Sequence, residues 1–103
     1  MSSMKYKIQY SHFAKDDVRE IKKYLSQFYP STKNNFLDEL KRRIDFIRTN
    51  PSSYEVCDSN PAYRKMLVLE YVVFYRVDED EKIVLLYRLY RVLHGKRDVI
   101  RYL

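Results

Sequence analysis

The sequence predicts an α+β fold: an N-terminal strand, an αα-hairpin, then a three-stranded antiparallel meander, all strands forming one sheet with the helices packed on one face. Three observations predict it. Apolar residues alternate from Met4 to Tyr10, recur at helical steps of three and four from Ala14 to Ile47, and alternate again from Tyr63 onward. At 103 residues the chain is read as a single domain, 1–103.

The first strand, Met4 to Tyr10, puts Tyr6, Ile8 and Tyr10 on one face. Ser11 follows as an N-cap, because its hydroxyl can accept from a first-turn amide. Ala14, Val18, Ile21, Leu25 and Phe28 then draw one apolar stripe, and Lys15, Asp16, Asp17, Arg19, Glu20, Lys22 and Lys23 form a face expected to be solvated. Pro30 closes this helix and Ser31 is the expected cap of the next, whose apolar face is Phe36, Leu37, Leu40, Ile44 and Ile47. A link of about three residues makes the two helices fold back on each other.

Asn50–Pro51 stops the second helix and opens a loop to Ala62, long for so small a domain and expected either to move or to fold over a site. The meander comes next: Tyr63 to Leu69, a tight turn at Glu70, Tyr71 to Val77, an acidic turn over Asp78 to Glu81, and a long strand from Lys82 to Leu93. Val72 to Phe74 and Ile83 to Leu86 are apolar on consecutive residues, so both sheet faces must be at least partly covered. The helices cover one. A C-terminal segment or a partner chain is expected on the other. Gly95, the only glycine, breaks the last strand, and Val99, Ile100 and Leu103 are spaced as one turn of a short closing helix.

Composition narrows the function. Lys and Arg outnumber Asp and Glu by 20 to 14, a net charge of +6 that favours nucleic acid, an acidic protein or an anionic surface as partner. No window approaches the roughly 20 apolar residues of a membrane span, so no membrane is expected, and nothing resembles a secretory signal. The single cysteine, Cys57, excludes an internal disulfide and fits the cytoplasm. With two histidines and one cysteine no zinc-ligand spacing exists, and one glycine excludes both Rossmann and P-loop fingerprints, so neither metal nor cofactor is expected.

The candidate site residues are cations. Alternation puts Arg64 with Met66 and Val68, Arg76 with Phe74, Arg88 with Leu86 and Tyr90, and Arg91 with Leu89 and Leu93. Arginines among apolar strand neighbours must either rim a concave surface or pair with a carboxylate such as Glu70 or Asp98. At the end of the last strand His94, Lys96 and Arg97 stand around Gly95, a turn suited to an anionic partner. Arginine, lysine, histidine and tyrosine suit one reaction, metal-free phosphodiester transfer, in which cations stabilise the transition state and His or Tyr moves protons.

The order β, α, α, β, β, β, with the closing run Arg91-Val92-Leu93-His94-Gly95-Lys96-Arg97-Asp98 and the strand Tyr71-Val72-Val73-Phe74-Tyr75-Arg76-Val77, resembles the RelE/ParE superfamily of bacterial type II toxin–antitoxin toxins. Ser11, Ala14, Asp17, Ile21 and Tyr24 resemble ParE-like members in particular. The resemblance implies a cytoplasmic toxin neutralised by a cognate antitoxin that covers the sheet face, with operator DNA reached only through the antitoxin. Its ParE-like branch implies inhibition of DNA gyrase and carries over no compact catalytic set; the cations read from the strands and the closing turn, Arg64, Arg76, Arg88, Arg91, His94, Lys96 and Arg97, are the candidate target- or nucleic-acid-binding set. Its RelE-like branch implies instead a messenger RNA endoribonuclease acting on the ribosome, with Arg64, His94, Arg97 and Tyr102 catalytic. Val72 stands where the ribonucleases carry an arginine, and Leu103 where they place a tyrosine, with Tyr102 one position short.

Overall fold

The computed structural model describes residues 5–92. Its elements are β1 (Lys7–Tyr10), α1 (His12–Phe28), α2 (Pro30–Thr49), β2 (Arg64–Val68), β3 (Tyr71–Asp78) and β4 (Ile83–Arg91). The four strands form one sheet in the order β1-β4-β3-β2. β1 runs parallel to β4, and the other two pairs are antiparallel. The predicted α+β architecture is therefore the observed one. The predicted end of the last strand at Leu93, the Gly95 turn and the closing helix lie outside the described residues.

The αα-hairpin is tighter than its sequence predicts. Ser11 does cap α1, its hydroxyl accepting from the Ala14 amide at 3.0 Å. Tyr29 alone joins the helices, closing α1 through its amide to the Leu25 carbonyl at 2.7 Å and serving as the N-cap of α2. Pro30 therefore opens α2 at its first turn, where the N–H it lacks has no partner within the helix anyway, and Ser31 lies inside the helix.

The main core lies between the hairpin and one face of the sheet. Ala14, Ile21 and Leu25 of α1 and Phe36, Leu40, Ile44 and Ile47 of α2 pack on Met66, Val68, Tyr71, Val73, Tyr75, Val84, Leu86 and Leu89. A smaller cluster, Cys57, Val72 and Phe74, lies on the outer face under Tyr63, Tyr87, Tyr90 and Val92. Part of the cover on that face thus comes from the 50–62 loop, which folds over rather than standing clear. Its Val56 bridges to Arg64, and the Lys65 amide donates to the Glu55 carbonyl at 3.1 Å, so the loop lies along the β2 edge.

Between Phe74 and Tyr75 the β3–β4 register shifts, with Phe74 opposite Arg88 and Tyr75 opposite Leu86. Tyr87 is the extra residue. This bulge corrects strict alternation: Leu86 stays on the helix side, while Arg88 turns with Tyr90 to the outer face. The other expected faces hold for Arg64, Arg76, and for Arg91 beside Leu89.

Candidate target-binding face

The outer face gathers cations and aromatic rings on a rigid sheet. Register places Lys65 beside Phe74, Leu67 beside Val72, and Arg76 beside Leu85. Phe74 is fully buried, Tyr63, Tyr87 and Tyr90 are half-buried, and Arg76 is exposed. Tyr63 and Tyr87 lie 4.9 Å apart between ring centroids, and Phe74 and Tyr90 meet edge to face at 5.9 Å.

Arg88 is the most constrained cation on this face. Its Nε and Nη2 donate to Asp17 Oδ2 and Oδ1 at 3.0 and 3.1 Å, and its guanidinium lies 5.0 Å from the Phe13 ring and 5.1 Å from that of Tyr90. Asp17 Oδ2 also accepts from the Leu89 amide at 2.9 Å. The position explains the arrangement. β1 pairs with β4 only as far as Leu86, and beyond that the start of α1 takes its place. Ser11 donates its amide to the Leu86 carbonyl and its hydroxyl to that of Tyr87, and Asp17 satisfies the next edge amide. The Asp17 hydrogen bond raises the Arg88 pKa above its ordinary value, against the opposing effect of burial. Sequence reading put Asp17 on a solvated helix face and missed this role; the signal was available only in the resemblance, where Asp17 is part of the early pattern.

The remaining candidates separate. Arg64 points to the helix side and donates from Nη1 to the carbonyls of Tyr54 at 2.7 Å and Ser52 at 3.5 Å. Beside it the Tyr75 hydroxyl donates to the Pro51 carbonyl at 2.8 Å, so the pair clamps the start of the loop. Arg91 meets Glu70 at 3.6 Å and lies 5.9 Å from the Tyr24 ring, an exposed contact at the end of α1. Arg76 and Arg88 are therefore together on the outer face, and Arg64 and Arg91 are on the other. His94, Lys96, Arg97, Asp98 and Tyr102 lie outside the described residues.

Among the described residues no helix is long and apolar enough to cross a membrane. Three solved structures similar to this fold come from toxin–antitoxin systems. A chromosomal ParDE system from P. aeruginosa matches with a TM-score of 0.71 at 14% identity, covering 89% of this chain and 100% of that one. The toxin–antitoxin complex RelBE2 from Mycobacterium tuberculosis matches at 0.62 and 12% identity, over 87% and 94%. The isolated E. coli RelE toxin matches at 0.63 and 13%, over 94% and 92%. At these identities the likeness is one of fold. A search by sequence among curated proteins matches none. The family model for the ParE toxin of type II toxin–antitoxin systems, parDE, matches residues 8–99. The fold just described, with Asp17 and Arg88 joining α1 to β4, is thus that of a type II toxin, and the chain belongs to the ParE toxin family.

Proposed function

We propose that this toxin arrests growth from the cytoplasm by binding DNA gyrase through the outer face of its sheet, and that its cognate antitoxin neutralises it by covering that face. The observation that carries this reading is the composition of the face: two arginines, Arg76 and Arg88, set among Tyr63, Tyr87 and Tyr90 with Leu67 exposed at its edge. Tyrosine and arginine are the residues that most often anchor protein interfaces, because each offers a large flat area with a polar tip. Operator DNA is reached only through the antitoxin in this reading.

A ribonuclease would need a compact set of phosphate-binding cations, since each transition-state donor removed costs several kcal/mol of barrier, about 3 for a typical one. Arg64 is committed to the Tyr54 and Ser52 carbonyls, and Val72 occupies the place of a further arginine. Both facts favour the gyrase reading.

Purified toxin added to a gyrase supercoiling assay and, in parallel, to a translation-coupled messenger assay tests the proposal. Loss of supercoiling with intact messenger is expected. Messenger cleavage with normal supercoiling would overturn it and assign catalysis to Arg97, His94 and Tyr102, with Arg64 holding phosphate and ribosome and messenger as partners.

A further inference from the structure

At the end of β4 that β1 does not reach, the junction of the two helices stands over the turn between β2 and β3, and a cavity of about 540 Å³ lies between them. Tyr24, Leu25 and Tyr29 line it from the hairpin, and Leu69, Tyr71 and Arg91 from the sheet. Of the eight large hydrophobic residues exposed among the described residues, four stand here: Tyr24, Phe28, Tyr29 and Leu69. Concentration in one spot separates a contact surface from ordinary scattered exposure. Tyr24 braces both of its aromatic neighbours, at 5.1 Å from Phe28 and 6.0 Å from Tyr29 between ring centroids, so Phe28 is held as a ring 56% exposed beside an open hollow. Leu69 adds a second, independent sign. Its φ of 54° is a conformation that glycine adopts without steric cost, and its side chain is 44% exposed, so burial within the fold does little to offset the strain. A strained leucine lining a cavity is better accounted for by what it touches in an assembly than by the turn it makes.

We propose that this end of the hairpin is a self-association surface, through which two copies of the chain form a two-fold dimer, Phe28 of each entering the cavity of the other and Glu70 of each facing Arg91 of the other. Charge selects a second copy as the occupant. Among the described residues lining the cavity only Glu70 and Arg91 are charged, and they offset each other, 3.6 Å apart with both side chains more than half exposed. Two chains of net charge +6 repel over most of their surface, and a neutral patch is where they can meet; an acidic segment or a nucleic acid is drawn instead to the cations elsewhere. A projecting ring beside a hollow, with one charge of each sign, is also what a two-fold contact requires, since the same surface must complement itself. The inference goes beyond the proposed function and does not depend on it. Arg76 lies on the other face of the sheet, so a dimer built this way leaves that face open in both copies.

Sedimentation of the purified full chain over a concentration series, in low and in high sodium chloride, tests it. Self-association that strengthens with salt is expected, because salt screens the repulsion between the two chains and leaves an apolar contact in place. Association that weakens with salt would assign it to ion pairs elsewhere and overturn the proposal. Phe28→Ala and Leu69→Gly, each checked for folding by thermal unfolding, should weaken association by about tenfold or more. Leu69→Gly relaxes the turn while removing the side chain, so its loss of association separates contact from folding; association unchanged in both variants would overturn the surface. Glu70→Arg and Arg91→Glu should each stay monomeric alone and dimerise when mixed, since the mixture restores opposite charges across the two-fold axis. A mixture that stays monomeric would overturn the facing of Glu70 and Arg91. A parent chain monomeric at every concentration and salt would overturn the whole proposal, as would amide protection at Leu69 and Tyr71 that appears only on adding the protein encoded beside its gene, which would give the surface to that protein. None of these outcomes bears on the gyrase reading, which has its own assay.

Discussion

Asp17 accepts three hydrogen bonds, two from Arg88 and one from the Leu89 amide, and no other carboxylate ties a helix to the sheet in this way among the described residues. Asp17→Ala leaves a half-buried guanidinium and an edge amide unpaired, and should lower stability by about 2–3 kcal/mol in urea unfolding. A loss below about 0.5 kcal/mol would show that water replaces the carboxylate. The partner of Arg88 was not legible in the sequence. Helical periodicity treats Asp17 like its neighbours Asp16 and Glu20, and its partner lies 71 residues away across a bulge. The need for a carboxylate was legible, since an arginine among apolar strand residues demands one, and for Arg91 the expected Glu70 is the partner found. Tyr75 gives a second prediction at this scale. Burial pushes its pKa up to about 12 from an ordinary 10.0, so the neutral hydroxyl is favoured in the folded state. Stability is fully present below pH 10 and is lost as pH rises from about 10 to 12, as the unfolded tyrosine ionises first. Tyr75→Phe should flatten that alkaline loss while removing the bond to Pro51 at neutral pH. An unchanged alkaline slope would place the effect elsewhere, for example at Tyr10 or Tyr71, which burial also shifts upward.

Element types were legible because each has its own period, and boundaries were less so. The cap at Ser11 was readable as chemistry, and Ser11→Ala should cost about 1 kcal/mol in chemical denaturation, with more expected if its bond to the Tyr87 carbonyl also counts. The helix junction was misplaced because a proline reads equally as a stop and as a first turn, and only the single intervening residue decides. The bulge at Phe74/Tyr75 has no glycine or proline to announce it, so strict alternation carried Arg88 to the wrong neighbour. The β2–β3 turn holds a further surprise, since Leu69 adopts φ 54, a left-handed conformation that costs an ordinary residue roughly 1–2 kcal/mol. Leu69→Gly should therefore leave stability within about 0.5 kcal/mol or raise it, whereas Leu69→Val, β-branched at positive φ, should cost about 1 kcal/mol or more. Thermal unfolding of the two variants side by side checks this, and equal melting temperatures would contradict a strained turn.

At the scale of the molecule the two faces of the sheet differ. Its inner face is filled by the helical hairpin, and Arg64, one of the candidate cations, lies on that side with its guanidinium on the Tyr54 and Ser52 carbonyls. Its outer face carries a thin cluster under tyrosines with Arg76 and Arg88 between them. A sequence shows which residues alternate but not which face the helices take, and that choice decides that Arg76 is exposed on the outer face while Arg88 is held there by Asp17. The most direct measurement is growth of bacteria induced to express the chain alone, comparing the parent with Arg76→Glu on the outer face and Lys23→Glu on the exposed side of α1. Arrest by the parent and by Lys23→Glu, with its loss in a normally folded Arg76→Glu, is the predicted result. Arrest that persists undiminished in Arg76→Glu would contradict the assignment of the outer face to the target.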